Sequence, residues 1–131
     1  MYATYIALLD RISSKSNYGV FFPDFPGCAF SGKTMDKALE KAREGLLFHI
    51  EGMQEDGETI PTPSSLDSIM ADSSYKKTIP VGVKVIIPTG HIKRVNISMD
   101  AGLINEIDQV AKLVGRNRSE FLSDAARNML G

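Results

Sequence analysis

The feature that most constrains this chain is its last 39 residues, which pack a strand pattern and two helix patterns into a span too short to close a core. Lys93-Arg94-Val95-Asn96-Ile97-Ser98-Met99 alternates cleanly. Val95, Ile97 and Met99 fall on one side of such a strand, and Arg94, Asn96 and Ser98 on the other. Asp100 is placed to cap a first helix, along which Leu103, Ile104, Ile107, Val110, Ala111 and Val114 make an apolar stripe. Gly115 sits where a left-handed residue ends a helix. Asn117 then caps a second helix, with Glu120 at capping-box spacing and Phe121, Leu122, Ala125, Ala126, Met129 and Leu130 as its apolar face. A lone strand edge invites pairing. Two copies that pair this strand antiparallel would cover a shared four-helix core and turn a row of Arg94, Asn96 and Ser98 outward.

This order of features resembles the ribbon-helix-helix family of repressors, the Arc and MetJ class. The resemblance implies that the ribbon enters the major groove and that Arg94, Asn96 and Ser98 read bases. The residue types suit that role, since arginine pairs with guanine, asparagine with adenine and serine with either. It also implies a phosphate held at the start of the second helix, by the backbone of Arg118 and Ser119 beside Asn117, with Lys93 as a further phosphate contact. The plainer alternatives are an edge strand with a solvated polar face and an ordinary solvent-facing Arg118.

The first ninety residues read differently. Residues 2–9 make an apolar strand, and Ser13 to Asn17 a polar turn. Gly19–Phe22 is a second strand, stopped by the rigid turn Pro23-Asp24-Phe25-Pro26-Gly27, and Cys28–Ser31 a third. Thr34 caps a helix whose apolar face holds Met35, Ala38, Leu39, Ala42, Leu46, Ile50 and Met53, and Gly57 ends it. Beyond it lies a linker rich in serine and proline. Within it Ser64 is placed to cap one or two turns, with Asp67 three residues on. Ile79 to Ile87 alternates as a fourth strand, and Pro88-Thr89-Gly90 breaks it. The fold class is therefore α+β, with residues 1–88 as one domain, 89–92 as a linker and 93–131 as the second domain.

The first domain resembles the HicB antitoxin family. The likeness is carried by Tyr18-Gly19-Val20-Phe21-Phe22-Pro23-Asp24-Phe25-Pro26-Gly27-Cys28, by Gly32 to Leu39 and by Ala42-Arg43-Glu44. It implies a partial ribonuclease-H-like fold made of an antiparallel meander, a helix and a further strand. It implies a HicA-type toxin as partner, a small basic ribonuclease acting on mRNA, and repression of the operon that encodes both. Charge is compatible with this. Residues 1–92 carry nine Lys and Arg against eleven Asp and Glu, and the remainder six against five. An acidic-leaning domain suits a basic partner. Glu40, Glu44 and Glu51 on the main helix are candidate toxin contacts, to be set against a plain solvated helix face.

Catalysis is not expected. A two-metal nuclease needs gathered carboxylates, and the candidates are Asp10 at the end of the first strand, Asp24 in the proline turn and Glu44 or Glu51 on the helix. Asp24 reads as a turn residue bonding nearby backbone. Cys28 reads as a small buried hydrophobe, with no base placed to activate it, and His49 as a boundary residue of the helix. His91 falls in the linker. No cofactor or metal site is expected. The lone cysteine, the lack of an apolar run long enough for a membrane and the N-terminus point to a cytoplasmic protein, and pairing of the C-terminal ribbon implies a homodimer, with a tetramer open. The competing readings are a ligand- or metal-responsive ribbon-helix-helix regulator and a metal-dependent nuclease.

Overall fold

The computed structural model describes residues 2–11 and 17–131. The chain divides into two compact units, Met1–Gly90 and His91–Gly131.

The first unit is a four-stranded antiparallel sheet in the order β3-β2-β1-β4. Its strands are β1 (Tyr2–Arg11), β2 (Tyr18–Phe21), β3 (Ala29–Gly32) and β4 (Ile79–Ile86). The meander is the one read from the sequence, and the fourth strand closes against β1 with Tyr5 opposite Val83. β1 runs one residue past Asp10, so that acid lies within the ladder opposite Gly19 and not at the strand's end. The polar turn expected at Ser13 to Asn17 falls, but for Asn17, outside the described residues.

Alternation in β1 sends Tyr5, Ala7 and Leu9 into the main core, where they meet Val20, Val83 and Val85 from the neighbouring strands. Helix α1 (Met35–Glu55) covers that face with Ala38, Ala42, Leu46 and Ile50, all fully buried. The Thr34 side chain accepts the Lys37 N–H at 3.1 Å, as its position predicts. At the other end Glu58 N–H bonds Met53 C=O at 2.8 Å and Gly57 N–H bonds Gln54 C=O at 3.2 Å. These two bonds satisfy carbonyls of the last turn and require the left-handed φ of +72° at Gly57. Near its start α1 is pressed onto β3: a Cβ on Gly32 would stand 2.6 Å from the Ala38 nitrogen.

Leu8 points to the opposite face of the sheet and is fully buried as well. It pairs with Phe21, whose ring lies 5.5 Å from that of Tyr75 in the chain segment after α1. That segment contains helix α2 (Leu66–Met70) and a 3₁₀ turn at Ser73–Tyr75. Two expectations fail in this segment. The α2 cap is Ser65, whose hydroxyl accepts the Ser68 N–H, not Ser64. Ser64 is occupied elsewhere: its N–H and hydroxyl donate to the Asp24 carboxylate at 2.9 and 2.6 Å. Asp24 is therefore no local turn residue but a staple reaching forty positions along the chain. The Tyr5 hydroxyl adds a second staple by donating to Pro61 C=O at 2.6 Å.

The second unit holds α3 (Ala101–Leu113) and α4 (Arg118–Leu130). Asp100 caps α3 by accepting the Leu103 N–H at 3.0 Å. Gly115, with φ +71°, closes it with the same bond pair as α1, from Arg116 N–H to Ala111 C=O and from Gly115 N–H to Lys112 C=O. Lys93–Met99 joins no ladder within the single chain, so the strand expected there is not formed. A strand needs a hydrogen-bonding neighbour, and the other described strands all lie in the first unit's sheet.

Candidate nucleic-acid and partner interfaces

Surface chemistry separates the second unit from an ordinary folded domain. Only Ile107 and Ala111 of its described residues are buried. Val95 is 68% exposed, Ile97 64%, Leu113 85% and Met129 90%. Leu103, Val110, Val114 and Leu130 are exposed too. All but Leu113 are apolar positions that the strand and helix patterns assign to a core, here without a cover. Lys93, Arg94, Asn96 and Ser98 lie beside them, all exposed. Such a surface can take up a second apolar face and leave a polar row in water.

The start of α4 is built as the sequence predicts. The Asn117 side chain accepts the Glu120 N–H at 2.9 Å, and the Glu120 carboxylate accepts the Asn117 N–H at 3.2 Å. This capping box leaves the first-turn N–H groups of Arg118 and Ser119 pointing out of the helix end, without intrahelical acceptors.

Sequence reasoning missed the Arg118 side chain's partner. Its guanidinium donates two hydrogen bonds to the Asp108 carboxylate, at 2.9 and 2.7 Å, from α4 back to α3. The hydrogen bonds from Arg118, with its charge, hold the Asp108 carboxyl below the usual carboxylate range and raise the Arg118 pKa. The Arg118 side chain thus faces solvent while paired to Asp108, and the backbone N–H groups beside it stay open at the helix start. No local signal could have revealed a pair ten residues apart across a turn. Arg116 is likewise shared between Glu120 and Asp124, at 3.3 and 3.4 Å.

On the first unit Glu40 and Glu44 are exposed on the side of α1 away from the sheet, and Glu51 is half-buried. A feature beside them was not read from the sequence. Gly45, Phe48, His49 and Gly52 recur at three- and four-residue spacing as a second stripe on α1, which Asp56 continues at the helix C-cap. Together with Cys28, Phe30, Met53 and Glu58 they line an open groove of about 420 Å³. The Phe30 ring lies on Gly45, where a Cβ would come within 2.0 Å of it, whereas a Cβ on Gly52 would meet nothing within 4 Å. Phe48 is 79% exposed at the rim. The clue in the sequence was the pair of helix glycines seven residues apart with an aromatic between them. His49 meets Phe25 edge-on at 5.9 Å, as a boundary residue would. Cys28 is buried, and burial pushes its thiol pKa up. Among the described residues no three His, Cys, Asp or Glu side chains gather as a metal set, and no helix is long and apolar enough to cross a membrane.

A stapled α+β domain with a shallow groove, followed by a unit whose apolar side lacks a cover, is the architecture of a protein that works by holding other molecules. The sequence profile of the HicB-like antitoxin of bacterial toxin–antitoxin systems matches residues 5–126, and the chain belongs to that family of antitoxins, which are not enzymes. It is 38% identical over 117 residues to a 14.9 kDa protein of the rep–hol intergenic region of Haemophilus phage HP1, covering 86% of this chain and 88% of that one. It is 31% identical over 109 residues to the antitoxin HicB of Escherichia coli K12, covering 82% and 70%. Among solved structures, the Burkholderia pseudomallei antitoxin HicB superposes with a TM-score of 0.59 at 28% identity, over 98% of this chain and 96% of that one. A chain of the HicA3 and HicB3 toxin–antitoxin complex shares the fold, with a TM-score of 0.50 at 24% identity over 65% and 98%.

Proposed function

We propose that this antitoxin neutralises a HicA-type, mRNA-cleaving toxin through its first unit, a partial ribonuclease-H-like domain, and represses its own operon through its second. In that second role two copies pair Lys93–Met99 as one ribbon. Val95, Ile97 and Met99 turn into a shared core, and Arg94, Asn96 and Ser98 face the major groove. Lys93 and the start of α4, at Asn117, Arg118 and Ser119, hold phosphates and set register. The observation that carries the reading is the uncovered apolar side of the second unit next to an exposed Arg94, Asn96 and Ser98. Dimerisation answers both at once. A toxin partner is supported by family membership and by the solved HicA3–HicB3 complex.

The test is a promoter-shift titration with the full chain. Wild type should bind the DNA upstream of its own gene, more weakly as salt rises. Arg94→Ala should cost about 1–3 kcal/mol and relax sequence preference. Equal operator affinity in the Arg94 variant would overturn the ribbon assignment. The toxin half is tested by co-expression with the adjacent reading frame, whose product should co-purify.

A further inference from the structure

We infer that the groove between α1 and β3 is the toxin-docking site, and that it takes a lysine or arginine side chain of the toxin. The inference rests on the proposed toxin partner and assigns where it binds. The groove floor is apolar and has unfilled space over Gly52. Phe48 forms an exposed aromatic wall, and Asp56 and Glu58 stand at one end, both exposed. No ion pair among the described residues engages either carboxylate.

That combination fits one kind of group. Lysine and arginine carry an aliphatic stem that packs on apolar surface and a charged head that must stay with water or an anion. A stem laid over Gly52 along Phe48 would place its head at Asp56 and Glu58. The Phe48 ring adds cation–π attraction for an arginine. A purely apolar side chain would leave the two carboxylates unused, and an acidic one would meet repulsion. A protein that works on RNA presents lysine and arginine to bind phosphate. The same groups would fill this groove, so docking here would withdraw them from RNA. Glu40 and Glu44, further round α1, lack the apolar floor and are spectators on this assignment.

Affinity of the full chain for the adjacent reading frame's product, measured at two salt concentrations, tests the site. Gly52→Met fills the floor from a helical position with open space, so the fold survives and thermal unfolding checks that. It should weaken binding at least tenfold. Phe48→Ala should do the same. Asp56→Asn with Glu58→Gln should weaken binding and flatten its salt dependence, while Glu40→Gln with Glu44→Gln stays within twofold of wild type. If the groove variants also bind within twofold, the docking site is wrong although the toxin reading stands. If wild type itself fails to bind, the toxin reading falls. A Phe48 variant that changes self-association but not toxin affinity would assign the groove to a second copy and overturn the proposal.

Discussion

The two units solve the burial problem in opposite ways. Fifteen of the seventeen buried apolar side chains of the described residues belong to Met1–Gly90, and two to His91–Gly131. The first unit uses its longest helix on one sheet face and its linker on the other, and then ties the linker down through Asp24–Ser64 and Tyr5–Pro61. The second has sound local structure: two capped helices, a left-handed glycine turn and a charged bridge between helices. It still exposes Val95, Ile97 and Leu113. Good local chemistry does not make a core. A segment of that length closes only by borrowing surface, and a second copy supplies the same surface by symmetry.

The most severe challenge to this contrast is a charge on the proposed inner ribbon face. Ile97→Asp would bury a carboxylate with no partner in the dimer, at a cost of several kcal/mol per chain. Sedimentation should report loss of the dimer, and operator binding should vanish with it. The unfolding of the first unit should be unchanged. A dimeric Ile97→Asp protein would show that the apolar side is covered in some other way.

A somewhat smaller effect is expected in the other unit. Leu46→Ala removes a fully buried side chain from the α1–sheet core and should cost about 2–5 kcal/mol. Chemical denaturation should show that loss at every protein concentration. On the proposed dimer, wild-type melting of the second unit should instead shift upward with concentration, as folding coupled to association requires. A concentration-independent transition for the second unit would erase the contrast between the two.

How far each unit was legible depends on the range of the interactions involved. Short-range signals read true: Thr34, Asp100 and the Asn117–Glu120 box cap as their spacing says, and Gly57 and Gly115 take the left-handed turn. The apolar density of residues 2–9 also read as a strand, and Tyr5, Ala7 and Leu9 of that strand do enter the main core. Leu8 was harder, because its burial depends on which later segment covers the far face of the sheet. Asp24 looked local because its turn is local, yet its carboxylate is used by Ser64, and that shifts the α2 cap to Ser65. The groove was hidden for a related reason. Gly45 and Gly52 look like weak points in a helix until Phe30 from β3 is laid across one of them. The ribbon was the reverse case: its pattern is plain in sequence, but the single chain offers it no strand to pair with.

The smallest expected effect concerns the bridge between α3 and α4, and its pH dependence has a definite sign. Arg118 stays charged throughout, so only Asp108 titrates. Hydrogen bonds from Arg118 lower the folded-state pKa of Asp108. The unfolded chain therefore binds this proton first as acid is added. The bridge's contribution is complete above the ordinary aspartate value of about 3.9 and fades as pH falls below it through the lower folded value. Both side chains are well exposed, so the contribution is minor and screened by salt. Thermal melts of wild type and Asp108→Asn should accordingly differ a little near neutral pH and converge in acid. That difference should be confined to the second unit's transition. Parallel curves down to a pH of about 3, below the ordinary aspartate value, would mean that the bridge adds nothing to folding, and that Asp108 serves only to hold Arg118 in place at the start of α4.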